Sequence, residues 1–205
     1  MNKATKTKYL EDLDDALTAL GFNRRRNHQE WKHQVDSANE LWIHINFGLS
    51  IVNPSIGVNY LDLVELLPQE SGHVTGTMVM LSSLLSPSRN YTIEEGSRRV
   101  AHDICGIGMP MFTHLRDRES VITSLKSGRV SDWLVASYSH RIRLLPILLA
   151  NTGRLSEAFH LLEHFRYESL GRDQILPPYE VFAKTFSERF ATSPVVGPER
   201  ASHES

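Results

Sequence analysis

Between Tyr9 and Leu49 the hydrophobic period of this chain changes from that of a helix to that of a strand, and the change sets the class of its front half. Tyr9, Leu10, Leu13, Ala16, Leu17 and Leu20 recur at three- and four-residue spacing with Glu11, Asp12, Asp14 and Asp15 between them, until Gly21 offers a C-cap. Beyond it Leu41, Ile43, Ile45, Phe47 and Leu49 alternate with Trp42, His44, Asn46 and Gly48, the pattern of a strand buried on one face. Two neighbours can pair with it: Glu30 to Val35, across the turn-forming Asp36-Ser37-Ala38-Asn39, and Ser55 to Leu63, after Asn53-Pro54. The spacing predicts an antiparallel meander packed on the first helix.

The back half reads as all-α. Residues 66–90 give no clear period around the apolar run Met78 to Leu85. Thr92 then reads as an N-cap, with Glu94 and Glu95 in the first turn of a helix ending near Gly106 to Pro110. Asp117 to Leu125 predicts a short helix closed by Gly128. From Ser131 helical spacing runs through Leu134, Tyr138, Ile142, Leu145 and Leu149, and resumes after Asn151-Thr152-Gly153 with Leu155, Ala158, Leu161, Leu162 and Phe165, a helical hairpin. Pro146 should kink the first arm or start a new helix. A last helix from Tyr179 to Phe190 follows Pro177-Pro178, and residues 192–205 read as a disordered tail. The expectation is an α+β fold: an α+β domain over 1–90, a helical subdomain over 91–191, and the tail.

Charge and cysteine usage bound the function. The 205 residues carry 22 Lys plus Arg against 24 Asp plus Glu, and a net charge of -2 gives no global attraction to a polyanion. One cysteine, Cys105, excludes an internal disulfide framework. The opening Met1 to Tyr9 is polar, and no apolar run approaches the roughly 20 residues that span a bilayer. A soluble, cytoplasmic protein without membrane contact is expected.

The opening, with Leu20-Gly21-Phe22, basic Arg24-Arg25-Arg26, Trp31 and the strand from Ile43 to Leu49, resembles an uncharacterised bacterial domain family that starts with this helix-then-meander arrangement. The likeness extends to Met109-Pro110-Met111-Phe112 and to the helix from Ser120 to Gly128. It implies a small cytosolic accessory protein and lends no catalytic residues. Leu145, Leu149, Gly153, Glu157, Ala158 and Leu162 are similar to one tetratricopeptide unit, from which Pro146 departs, and no second copy follows to build a peptide groove.

Four candidate sites arise. Arg24, Arg25, Arg26, His28, Lys32 and His33 surround Trp31, and clustered arginine beside an aromatic suits phosphate contact and base stacking; the competing reading is a solvated edge strand. Arg98, Arg99, Arg116 and Arg118 would extend this patch if the fold brought them near. Trp42, His44 and Asn46, with Tyr60 and Asn59 on the next strand, could form a binding surface anchored by Trp and Tyr, unless later helices cover that face. His160-Leu161-Leu162-Glu163-His164 reads H-x-x-E-H, which on a helix lets two histidines hold zinc beside a glutamate base. Helical phase opposes it, since Ala158, Leu161, Leu162 and Phe165 define the buried stripe and His160 with His164 fall opposite.

Cys105 follows His102 by three residues, a spacing that could stabilise a thiolate; nothing in the sequence marks a third group to orient the histidine, and the cysteine reads as a small buried hydrophobe. Gly106-Ile107-Gly108 is too short for a dinucleotide fingerprint, and no P-loop or Ser-centred elbow occurs, so no cofactor is expected. The leading expectation is a non-enzymatic protein acting by binding another protein, in the manner of a bacterial immunity or defence accessory. Nucleic-acid binding through residues 24–33 is the alternative, and a zinc-dependent hydrolase the second.

Overall fold

The computed structural model describes residues 2–25, 29–64, 76–85, 90–127 and 138–191. The fold class is α+β: a leading helix, a six-stranded antiparallel sheet and a helical back half. Helix α1 (Lys3–Thr18) is capped by Asn2, whose side chain accepts from Thr5 N–H at 2.8 Å, and it ends at Gly21, with φ of 86°. The left-handed conformation there suits glycine, and a Cβ would also strike the His33 ring at 2.6 Å.

The sheet runs β1 (Asn23–Arg24), β2 (Glu30–Gln34), β3 (Asn39–Phe47), β4 (Ile51–Tyr60) and β5 (Gly76–Met80), with β6 (Tyr91–Thr92) also paired to β4. The turn before β3 is fixed by Asp36, whose Oδ1 accepts from the N–H groups of Ala38 and Asn39 at 2.8 and 2.7 Å. Those bonds hold the Asp36 carboxyl below its ordinary range.

Strand β4 starts earlier than Asn53-Pro54 led one to expect, because the real turn lies at Gly48 to Ser50 and the proline sits inside the strand opposite Ile45. Ile45 N–H donates to Gln29 O on the far side, so the Ile45–Pro54 pair makes no ladder bond. The missing proline N–H faces the gap between β6, which pairs up to Val52, and β5, which pairs from Ser55.

Other boundaries differ as well. The weak stretch before residue 90 contains β5 and a 3₁₀ turn, Leu81–Leu84. Thr92 ends β6; its Oγ1 accepts from Glu95 N–H at 3.2 Å while Glu95 Oε2 accepts from Thr92 N–H at 2.8 Å, reciprocal bonds like those of a capping box that close a single turn, and helix α3 starts only after it, at Gly96 with φ of 76°. Helix α3 (Gly96–Asp103) does not stop at Gly106 to Pro110 but passes through a π-helical turn, Ile104–Gly108, into α4 (Met109–Arg116). The turn absorbs Pro110 near the start of α4, where its lost N–H is tolerated.

Helix α5 (Arg118–Lys126) starts where expected, with Asp117 as N-cap. Helices α6 (Tyr138–Asn151) and α7 (Leu155–Glu168) form the hairpin, turning at Gly153 with φ of 80°. Pro146 lies inside α6 without dividing it, buried among Leu144 to Leu149. Helix α8 (Leu176–Ala191) begins before Tyr179, since Pro177 and Pro178 occupy a first turn that needs no backbone donors. Leu134, Gly128 and the tail lie outside the described residues.

One face of the sheet and both halves of the chain share a core. Leu41, Ile43, Ile45, Val52, Ile56, Val58 and Tyr60 are buried together with Leu13 and Leu17 of α1, and with Phe112 and Leu115 of α4. Tyr60 Oη donates to Leu115 O at 2.6 Å. A polar clamp joins the end of β4 to the hairpin. Arg118 bonds Asp62 at 2.6 Å and Asn151, and lies over the Tyr60 ring at 5.3 Å. No helix among the described residues is long and apolar enough to cross a membrane.

Candidate functional site

Strand parity sorts the candidates onto opposite faces of the sheet. Cross-strand partners share a face, so Leu41, Ile43 and Ile45 lie with Val58, Ile56 and Pro54 over the core, and Tyr60, opposite Asn39, lies with them. Tyr60 is fully buried, and burial pushes its hydroxyl above the ordinary tyrosine range. It therefore does not belong to a surface with Trp42, His44 and Asn46: the period of two that placed those three together puts Tyr60 on the other side.

The second face is built of rows. Lys32, Trp42, Gly57 and Met78 are successive partners across β2 to β5, and Glu30, His44, Ser55 and Met80 form the next row. The Trp42 indole covers Gly57, where a Cβ would meet Cζ2 at 2.4 Å and the Thr77 carbonyl oxygen at 2.0 Å. Only glycine admits this packing. Trp42 and His44 are half-buried, Asn46 is exposed, and Met78 keeps 37% exposure.

Lys32 and Glu40 on this face are matched to each other. Glu40 Oε1 accepts from Lys32 Nζ at 2.7 Å and from Asn59 Nδ2 at 2.9 Å. His44 Nε2 and Asn46 Oδ1 are 3.0 Å apart, an arrangement in which the ring N–H donates to the amide. Trp42 Nε1 has no hydrogen-bond acceptor among the described residues. The result is a half-open aromatic whose N–H meets no acceptor among the described residues, set between Lys32, which is paired to Glu40, and Gly57 with Met78. Sequence reasoning missed Gly57, Met78 and Met80, because only the register of β4 and β5 brings them beside Trp42.

The basic segment is not brought together. Trp31 is fully buried and its Nε1 donates to Asp14 Oδ1 of α1 at 2.6 Å, so it cannot stack on a base. Arg24 lies over its ring at 5.3 Å, on the core side, while Lys32 points to the opposite face and pairs with Glu40. His33 packs against Phe22. Arg25 is exposed, and Arg26 and His28 lie outside the described residues. Of the later arginines, Arg99 bonds Asp103 at 2.8 Å, Arg116 bonds Asp36 at 3.0 Å and Arg118 bonds Asp62, while Arg98 is exposed on α3.

His160, Glu163 and His164 all lie on the exposed side of α7, as helical phase required, while Ala158, Leu162 and Phe165 are buried and Leu161 is half-buried. His164 approaches Glu168 at 3.4 Å and Glu163 approaches Arg166 at 3.8 Å. Among the described residues no group of three His, Cys, Asp or Glu side chains could hold a metal ion.

Cys105 is exposed in the π turn rather than buried. A group orienting His102 does exist: Asp103 Oδ1 lies 3.0 Å from its Nδ1. Asp103 is buried and is also bonded by Arg99 and by Tyr91 Oη, at 3.1 Å. Burial would raise its pKa, but these three bonds outweigh it and hold the carboxyl below the usual range. No hydrogen bond joins Cys105 to His102 among the described residues, so the arrangement fastens α3 to β6 rather than activating the thiol.

Comparison of the chain with protein-family models, with curated protein sequences and with solved structures returns no match.

Proposed function

We propose that this chain is a non-enzymatic protein-binding module whose partner docks on the sheet face carrying Trp42, His44 and Asn46. The observation that carries the reading is the Trp42 indole, lying over Gly57, half-open, with no acceptor for its N–H among the described residues. A rigid aromatic with one apolar side and one free donor is the side chain that most often anchors a protein interface. Its surroundings favour a protein over a polyanion, because the lysine on this face is already neutralised by Glu40 and the neighbours are Met78, Met80, Ser55 and Asn59. The fitting partner is a folded protein that presents an apolar patch with a carbonyl or carboxylate acceptor for the indole N–H. A role as an immunity or defence accessory is one form such a binding module could take.

The basic segment supports nucleic-acid binding less well, since its aromatic is buried and its described cations lie on different faces. Co-purification from the source cell tests the reading. A stoichiometric protein should accompany the wild-type chain and be lost on Trp42→Ala and on Asn46→Lys, the second of which alters an exposed position without touching the core. Undiminished recovery of the same protein with both variants would reject the face as its site.

A further inference from the structure

At two successive positions on the Trp42 face, β4 contributes small residues where the strands beside it contribute large ones. Gly57 separates Trp42 of β3 from Met78 of β5, and Ser55 separates His44 from Met80, so the two cross-strand rows form a shallow trough. Its walls lean inward. The Trp42 ring crosses Gly57 toward β5, since a Cβ at that glycine would meet both the indole and the Thr77 carbonyl oxygen. Ser55 is 4% exposed, as it would be beneath an imidazole and a thioether that approach each other across it. His44 and Met80 stand two strand spacings apart, about 10 Å between Cα atoms, a gap that two such side chains close. Met78 is exposed, and Trp42, His44 and Met80 are half-buried, so the trough is open to solvent.

The donors gathered here are soft. Two thioethers and one imidazole flank the trough, and the borderline and hard ions that want carboxylate, thiolate or several imidazoles find no group of three such side chains among the described residues. His44 is already oriented for ligation. With its Nε2 donating to Asn46 Oδ1 at 3.0 Å, Nδ1 keeps its lone pair, and an outer hydrogen bond of this kind is what fixes the tautomer of metal-bound imidazoles. The nearby charges do not repel a cation, because Lys32, beyond Trp42, is neutralised by Glu40, and Glu30 stands beyond His44 on β2.

We propose that Met78, Met80 and the Nδ1 of His44 bind one soft monovalent metal ion, Cu(I), with the Trp42 ring beside it as a cation–π neighbour. Thioether and imidazole ligands of low total charge select this ion over zinc. The site shares the face assigned above to a protein partner but needs no partner to fill it, so either reading can fail alone.

Titration of the untagged full chain with Cu(I), in anaerobic reducing buffer against bicinchoninate as competing chelator, tests the proposal. The chain carries Cys105→Ser, which removes the exposed thiol that would bind the ion on its own account. The expected result is one equivalent of Cu(I) withdrawn from the chelator per chain, with saturable quenching of tryptophan emission that Trp42→Phe removes. Met78→Leu combined with Met80→Leu, which conserves side-chain volume, should abolish the withdrawal. Failure of the Cys105→Ser chain to withdraw Cu(I) would overturn the proposal whether or not the methionine variants fold. An equivalent retained in full by the folded double-leucine variant, or bound without tryptophan quenching, would overturn it equally.

Discussion

Trp31 Nε1 donates to Asp14 Oδ1 at 2.6 Å, so the indole in the middle of the basic segment fastens the first helix to the sheet. Trp42, eleven positions on, has the opposite situation: half-open, on the other face, with no acceptor for its N–H among the described residues. Trp31→Phe keeps the ring and removes the donor, and is expected to lower stability by about 1–3 kcal/mol. Asp14→Ala should cost a similar amount, and the double variant less than the two together, because both remove one bond. Urea unfolding of the four proteins checks this; strict additivity would show that the bond contributes nothing.

Gly57 is where the structure is least tolerant of an added methyl group. A Cβ there meets Thr77 O at 2.0 Å and Trp42 Cζ2 at 2.4 Å. Gly57→Ala should destabilise by about 1–3 kcal/mol through overpacking and lift Trp42 toward water. The measurement is a red shift of tryptophan emission, absent when Trp42→Phe is combined with it.

The pH dependence follows from two groups. Burial holds the His140 pKa below its ordinary 6.5. The unfolded chain then binds the proton more readily than the folded one, so the stabilisation is fully present above pH 6.5 and is lost as pH falls from there toward the folded value. Asp103, held below its ordinary 3.8, adds a second loss at lower pH by the same sign. Chemical unfolding from pH 8 to 3 should show both stages. His140→Gln, which keeps a donor for Gly76 O, should remove the first, and Asp103→Asn the second.

Arg118 ties Asp62 after β4 to Asn151 at the end of α6 and covers Tyr60. Arg118→Met should cost about 1–3 kcal/mol, since it strands Asp62 without its partner. Hydrogen exchange should then rise at the end of α6 before it rises in β3 and β4; uniform acceleration would mean that the clamp holds no particular junction.

The parts of the fold legible in the sequence are those where one physical signal acts alone. The alternation from Leu41 to Phe47 and the helical stripe from Tyr9 to Leu17 survive because burial on one face decides both, and the same phase argument correctly put His160 and His164 outside. Errors fall where two rules meet. Asn53-Pro54 carries a turn signal, yet the proline nitrogen faces a gap between strands, so pairing prevails. Gly106 to Pro110 carries a stop signal that a π turn absorbs. The candidate face was legible only along β3. Tyr60 was misplaced for want of the β4 register, and Gly57 and Met78 carry no local mark of what they touch.

The most direct test of the binding face is photo-cross-linking in the source cell, with the reactive side chain placed at position 46 on the face or at position 160 on the exposed side of α7. The expected result is one protein adduct from position 46, absent from position 160 and lost when Trp42→Ala is added. An adduct from position 160 alone, or nucleic acid in place of protein at position 46, would contradict it.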